Sequence, residues 1–256
     1  MVTITAEKVT VRLSGRTVVQ GISASLEARS LIGILGPNGA GKSTFVRALL
    51  GLVASEGHVR IGKHLIGQMN RQQIAQQVAY LPQGQSVHWP LSVERLVALG
   101  RLPHLAPYSR LSQADQSAIQ QAMELSEITE LSDRIATELS GGERSRVLLA
   151  RALAVDAPAL IADEPLASLD PAHQLHGMEI LRSLADAGRT VITVMHDLEL
   201  AARFCDRVLV LDKGRLVAKG PPKEVLSADL LAQVYRIIAM SDGTDGLSLT
   251  PLQRIR

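Results

Sequence analysis

The chain has 256 residues, of which 46% are apolar and only 2% aromatic, with a formal net charge of +2. That length can bury a sizeable aliphatic core as one domain or one with a subdomain, and so small a charge argues against a nucleic-acid surface. Cys205 is the single cysteine, which excludes an internal disulfide, and between Phe204 and Asp206 it reads as packing.

The start, Met1-Val2-Thr3-Ile4-Thr5, lacks a basic region followed by an apolar stretch, so no signal peptide is expected. Arg151 and Asp156 interrupt the richest apolar run, so no spanning helix is expected either. A soluble, cytoplasmic protein follows, with any membrane role supplied by partners. From Val2 to about Tyr80 the pattern favours strands. Val9 to Leu13 and His58 to Ile61 alternate, and Val78 to Leu81 reads as a short buried strand running into Pro82 and Gln83. The apolar run Leu31 to Leu35 leads into Gly36-Pro37-Asn38-Gly39-Ala40-Gly41-Lys42-Ser43-Thr44, a GxxxxGK[ST] loop, and then into a helical stretch, Phe45 to Leu50. Strand, glycine loop and helix in that order make a nucleoside triphosphate site. The glycines let backbone N–H groups turn toward phosphate oxygens, and the helix N-terminus adds its positive dipole end. Lys42 can reach the β- and γ-phosphates, and the Ser43 hydroxyl can hold Mg²⁺.

Helical spacing dominates from about Gly84 to Ala150. Val93 to Leu99 and Ser117 to Leu125 predict helices, with Ser112 or Asp115 capping the second, and the segment Arg101 to Pro107 is broken by prolines. Leu139-Ser140-Gly141-Gly142-Glu143 precedes a further apolar segment, Val147 to Ala150. Ala159 to Ala162 is a buried strand that ends in Asp163 and Glu164. A helix over about His173 to Ala187, a strand over Val191 to Met195 and a hairpin over Val208 to Ala218 follow. This alternation predicts a largely parallel sheet with helices on both faces. His173 and His176, three apart on a helix, have the spacing of a metal pair but read as a solvated face without further ligands.

Taken together these segments resemble the ATP-binding subunit of an ABC transporter. The phosphate loop at Gly36 to Thr44, Q-loop at Gln83, signature at Leu139 to Glu143, acidic strand end at Asp163 and Glu164, D-loop at Ala167-Ser168-Leu169-Asp170 and switch histidine His196 follow the family's order over roughly Val2 to Ala239. The resemblance implies an α/β fold: a P-loop NTPase (RecA-like) core with a mixed, largely parallel sheet, an antiparallel β subdomain and a helical subdomain. The expected division is one ATPase domain over residues 1–240, with core and β subdomain at about 1–84 and 151–240, the helical subdomain at about 85–150, and a tail at 241–256. ATP and Mg²⁺ are the implied cofactors. Lys42, Glu164 and His196 take the catalytic roles, Glu164 polarising the attacking water. Ser43, Gln83 and Asp163 serve the metal. Ser140, Gly141, Gly142 and Glu143, with Asp170, complete the ATP site of a second subunit, so a homodimer, or a heterodimer with a related chain, is expected.

Leu91 to His104, Gly188 to Leu198 and Gly220 to Val225 are similar to importers of ferric siderophores, haem and cobalamin. That group implies two permease subunits as partners, a substrate-binding protein upstream, no nucleic acid, and a place on the cytoplasmic face of the membrane. Residues from Gly84 to Pro107 would accept the permease's coupling helix. Ferric siderophore ranks first as cargo, then haem and cobalamin, then another metal complex. Two other classes, a soluble ABC ATPase acting on ribosomes or DNA and a non-catalytic regulatory cassette, fit less well. The chain lacks a second cassette and a coiled-coil insertion, and it keeps Lys42, Asp163, Glu164 and His196 together. There are departures from the family. Glu143 stands where Gln is common and Leu166 where Thr is usual. Ser14 stands where an aromatic often stacks on adenine, which leaves Arg12, Leu13 or Arg16 for the base and most of the affinity to the phosphates.

Overall fold

The computed structural model describes residues 2–84, 86–167, 169–242 and 248–254. Strand β1 (Ile4–Leu13) buries Ile4, Ala6, Val9 and Val11, and Leu13 pairs with Arg16 at the start of β2 (Arg16–Leu26). The two residues between them, Ser14 and Gly15, both have positive φ (48° and 77°), the backbone that a two-residue hairpin turn needs to match the strand twist. Ile22 to Leu26 alternates along the second half of β2, while Thr17 to Gln20 in its first half does not, and β2 is not among the expected strands. β3 (Ser30–Leu35) is buried along its whole length, and α1 (Lys42–Leu49) follows the phosphate loop. β4 (Glu56–Ile61) and β5 (His64–Leu65) complete an antiparallel sheet in the order β2-β1-β4-β5.

Next come α2 (Arg71–Gln77), β6 (Val78–Leu81), α3 (Val93–Ala98), α4 (Gln113–Leu125), α5 (Gly141–Leu153), β7 (Ala159–Asp163), α6 (Pro171–Asp186), β8 (Thr190–Val194), α7 (Leu198–Phe204), β9 (Arg207–Asp212) and β10 (Arg215–Gly220). The second sheet runs β10-β9-β3-β8-β7-β6, parallel from β9 to β6 with β10 antiparallel at the edge. The expected mixed, largely parallel sheet and the separate antiparallel sheet are both present.

Period-two alternation divides the buried strands between two cores. Ile32, Ile34, Ile161, Ile192 and Leu209 pack with Phe45 and Val46 of α1 and with the antiparallel sheet. Leu31, Leu35, Leu160, Ala162 and Val191 pack on the other face with α3 to α6. Each such side chain, fully buried, contributes roughly 1.5–3 kcal/mol.

The helices between β6 and β7 are tied down by a buried cation. Arg101 donates from Nε to Asp115 Oδ1 (2.8 Å) and from Nη1 to the carbonyls of Ala154 (2.8 Å) and Val155 (3.0 Å). Its neighbour Gly100 lies so close to α5 that a Cβ there would sit 2.3 Å from the Arg151 carbonyl oxygen. Ser112, of the two candidates, is the α4 cap, and Asp115 answers it in a capping box. α6 begins two residues earlier than expected because Asp170 caps it and Pro171 fits its first turn. The tail, whose sequence shows little periodicity, enters an antiparallel pair of β11 (Ile237–Asp242) and β12 (Ser248–Arg254), with β12 lying near α7. Residues 243–247, 255 and 256 of the tail, and Ser168 of the D-loop, lie outside the described residues.

Candidate active site

The phosphate loop leaves the end of β3 under tight steric control. Gly36 has φ 143°, and a Cβ there would fall 2.1 Å from the Leu211 carbonyl oxygen of β9. Gly41 has φ 95°, and a Cβ there would lie 2.8 Å from the Val18 carbonyl oxygen of β2. At these two positions the loop is pressed against neighbouring strands with no space for a larger residue. Ala40 N–H donates to the Pro37 carbonyl (3.1 Å), and Gly214 N–H donates to the Ala40 carbonyl (3.0 Å). The first turn of α1 has no side-chain cap, which leaves its leading N–H groups for an anion. Lys42 is buried and donates from Nζ to the carbonyls of Gly36 (2.7 Å) and Pro37 (3.2 Å). Burial pulls its pKa down, against the opposing pull of Glu164 and Asp163.

Asp163 closes β7 on the face of Ile161, toward α1. Its Oδ1 accepts from the Ser43 hydroxyl (3.0 Å), while Oδ2 is buried without a hydrogen-bond partner among the described residues. Burial pushes this carboxyl's pKa up; the Ser43 hydrogen bond opposes the rise. A hydroxyl and a carboxylate side by side are hard oxygen donors, a fit for Mg²⁺. Alternation along a continuing strand would turn Glu164 away from Asp163. The strand instead stops at Asp163, and Glu164 has φ 52°, a left-handed backbone rare for a non-glycine residue and frequent at functional sites. That turn brings its carboxylate to the cleft. Oε2 accepts from Gln83 Nε2 (2.6 Å), and Oε1 is bonded to His196 Nε2 (2.5 Å).

Gln83, Glu164 and His196 line a cleft of about 410 Å³ with Asn38 to Thr44 and Val18. The structure thus gathers the phosphate loop, Q-loop, acidic strand end and switch histidine around one cavity. Val18 escapes sequence reasoning because it lies on the unpredicted β2.

Among the described residues, those of the signature and D-loop do not line this cleft. Ser140 Oγ caps α5 by accepting from Glu143 N–H (3.3 Å), and the Ser140 N–H donates to Glu143 Oε2 (2.8 Å). Arg134 donates to Glu143 Oε1 (2.8 Å). Asp170 accepts from His173 N–H (3.1 Å) and is bonded to His173 Nδ1 (2.6 Å). His176 is bonded instead to the Leu125 carbonyl (3.1 Å), so the two histidines have different partners. Gly141 borders a second cavity of about 340 Å³ that also reaches Gln83 and Glu164. Among the residues proposed to hold the base, Arg12 is paired with Glu56, Leu13 is half-exposed and Arg16 is exposed. Leu166 is buried against α6, where a Cβ on Gly177 would lie 2.4 Å from its Cδ2.

Comparison with known proteins agrees with this geometry. A family model described as ABC transporter matches residues 19–167, more than half of the chain. The hemin import ATP-binding protein of Streptomyces coelicolor is 42% identical over 226 residues, 88% of this chain and 80% of that protein. The cobalamin import ATP-binding protein of Halobacterium salinarum is 38% identical over 247 residues, 94% of this chain; the chain spans 62% of that relative's length. A solved nucleotide-free ATP-binding cassette from an ABC transporter superposes with a TM-score of 0.81 at 23% identity, over 92% of this chain and 99% of the other, and shares the fold.

Proposed function

Because this chain belongs to the ABC transporter family, whose cassettes hydrolyse ATP, we propose that it is the ATPase subunit of an importer, acting as a homodimer beneath two permease subunits. The observation that supports this best is the Glu164 carboxylate, held between Gln83 and His196 beside the phosphate loop. Lys42 and the amides of Gly36 to Thr44 bind the phosphates. Entry of a γ-phosphate draws Lys42 off the loop carbonyls and frees Glu164 from one of its two partners. Glu164 then polarises the attacking water, which His196 helps to position. Asp163, Ser43 and Gln83 would hold Mg²⁺, which would supply neutralisation of the phosphate charge.

The signature residues Ser140, Gly141, Gly142 and Glu143 meet ATP on the second copy, and Asp170 couples the two sites. ATP bound from both sides favours the closed dimer, and hydrolysis removes that preference. The helical part, about 85–150, moves against the core formed by about 1–84 and 151–240, with 241–256 as a separate tail. No helix among the described residues is long and apolar enough to cross a membrane, which suits a peripheral subunit on the cytoplasmic face. Trp89, Leu99 and Leu102 are exposed on the segment assigned to the permease's coupling helix. A substrate-binding protein delivers the cargo.

That cargo is a metal chelate. Ferric siderophore is the first assignment from the sequence, and the names of the relatives, hemin and cobalamin import, favour haem or cobalamin as the second. The test is uptake of labelled ferric siderophore, haem and cobalamin by cells carrying the native chain, Lys42→Ala or Glu164→Gln. Both variants abolish uptake of one cargo, and purified Glu164→Gln loses at least about a hundredfold in kcat while still binding ATP. Unchanged uptake of all three cargoes overturns the cargo assignment, and full ATPase activity in Glu164→Gln overturns the catalytic one.

A further inference from the structure

Tyr80 and Asp163 share one face of the larger sheet. Tyr80 pairs with Ile161 across β6 and β7, and Asp163 stands two residues beyond Ile161 on the same face. Ile161, Phe45 and Val46 form part of one core, against which Tyr80 also packs. Two polar atoms in this neighbourhood are buried without a well-formed hydrogen bond among the described residues: the Tyr80 hydroxyl, which has only a looser contact with the Arg47 guanidinium, and Asp163 Oδ2. Buried polar atoms without partners are few in native proteins, and each calls for an explanation. A cation stands over both. Arg47 lies one helical turn after Ser43 on α1, on the side that carries the hydroxyl bonded to Asp163 Oδ1. Its charge opposes the upward shifts that burial imposes on the Tyr80 hydroxyl and the Asp163 carboxyl.

We infer that Tyr80, supported by Arg47, is a positioning residue for Asp163: its hydroxyl anchors the free Oδ2 while Ser43 anchors Oδ1, so that the carboxylate meets a divalent cation in one orientation. A diagonal neighbour on the adjacent strand is within reach of an aromatic side chain, so a small shift closes the link. Partners behind a metal-holding carboxylate fix its direction and raise its affinity. Tyr80 touches neither nucleotide nor metal in this arrangement; it acts through Asp163. The inference rests on the proposal that Asp163 serves the metal.

The test measures Mn²⁺ binding by electron paramagnetic resonance, on the full chain saturated with a non-hydrolysable ATP analogue. Tyr80→Phe, which removes only the hydroxyl, weakens Mn²⁺ binding about tenfold and leaves metal-free nucleotide affinity unchanged. Arg47→Gln weakens Mn²⁺ binding in the same direction by less. The unchanged metal-free affinity separates positioning from a general loss of structure, which would lower both. Normal Mn²⁺ affinity in Tyr80→Phe, with binding lost in Asp163→Asn, overturns the inference alone. Equal Mn²⁺ binding by Asp163→Asn and the native chain overturns the metal role of Asp163, and the inference with it.

Discussion

Two helices of this molecule start with glycine-rich segments, and they treat their first turns in opposite ways. At α1 the cap is Gly41 in a left-handed backbone, no side chain satisfies the leading N–H groups, and Lys42 is turned onto its own loop carbonyls. At α5 the cap is Ser140, answered by Glu143, which is in turn fixed by Arg134. The first end is incomplete within the chain and is finished by an anion. The second is complete as a helix start without any ligand. This difference suits the roles proposed above: nucleotide phosphates held by the first end, and a signature that keeps its shape until it meets a second copy's nucleotide.

Alanine at the first glycine of each segment gives the largest contrast. Gly36→Ala drives a Cβ into the Leu211 carbonyl at a φ that L-residues rarely adopt, and should cost about 3 kcal/mol along with nucleotide binding. Gly141 has ordinary φ, and a Cβ added to it would meet nothing within 4 Å, so Gly141→Ala should be neutral or up to about 1 kcal/mol stabilising in the isolated chain. Urea unfolding of both variants decides the matter. Equal losses would mean that the phosphate loop is no more tightly packed than the signature.

The same contrast shows what the sequence can and cannot disclose. The phosphate loop, Gln83, the Asp163-Glu164 pair and His196 are legible because each ends or follows a short apolar strand, and parallel strands bring their C-terminal ends to one edge. The Glu164 direction is not legible: alternation predicts it only while the strand continues, and the strand stops one residue earlier. β2 is half legible: Ile22 to Leu26 alternates and Ser14-Gly15 is a turn pair, but Thr17-Val18-Val19-Gln20 breaks the alternation where the strand meets the phosphate loop. Tyr80 reads as part of a buried strand, and only the register between β6 and β7 sets it beside Asp163. The capping of α5 is recoverable from Ser140 and Glu143 three residues apart, a spacing that the glycines between them overshadow.

A smaller effect is expected at the α5 cap itself. Ser140→Ala removes the side-chain acceptor for Glu143 N–H and keeps the backbone bond from residue 140 N–H to the Glu143 carboxylate, a loss of about 1 kcal/mol. Ser140→Asp, which keeps an acceptor there, should recover most of it. Thermal melting of the two variants checks this. A Ser140→Ala chain as stable as the native one would show that Arg134 and Glu143 hold the helix start without the serine.

Acid should act with opposite signs on the two regions. Around the cleft, burial raises the Asp163 pKa, so protonation relieves a buried charge. In the helical region the carboxylates are hydrogen-bonded as anions. The Ser112 hydroxyl and N–H, with Arg101, push Asp115 down to about 2 from 3.8. Ser140 and Arg134 likewise hold Glu143 below its ordinary value. A depressed folded-state pKa means that the unfolded chain takes up the proton first. The contribution of Asp115 is therefore fully present above pH 3.8 and fades as pH falls toward about 2. Asp115→Asn should melt below the native chain at about pH 6, and the gap should narrow between about pH 4 and pH 2. Asn keeps an oxygen for the Ser112 N–H but turns its amide NH2 toward Arg101 Nε, so the initial gap includes the lost Arg101 hydrogen bond as well as the lost charge. A gap that stays constant down to about pH 2 would mean that Arg101 is held by the Ala154 and Val155 carbonyls and gains nothing from the carboxylate charge.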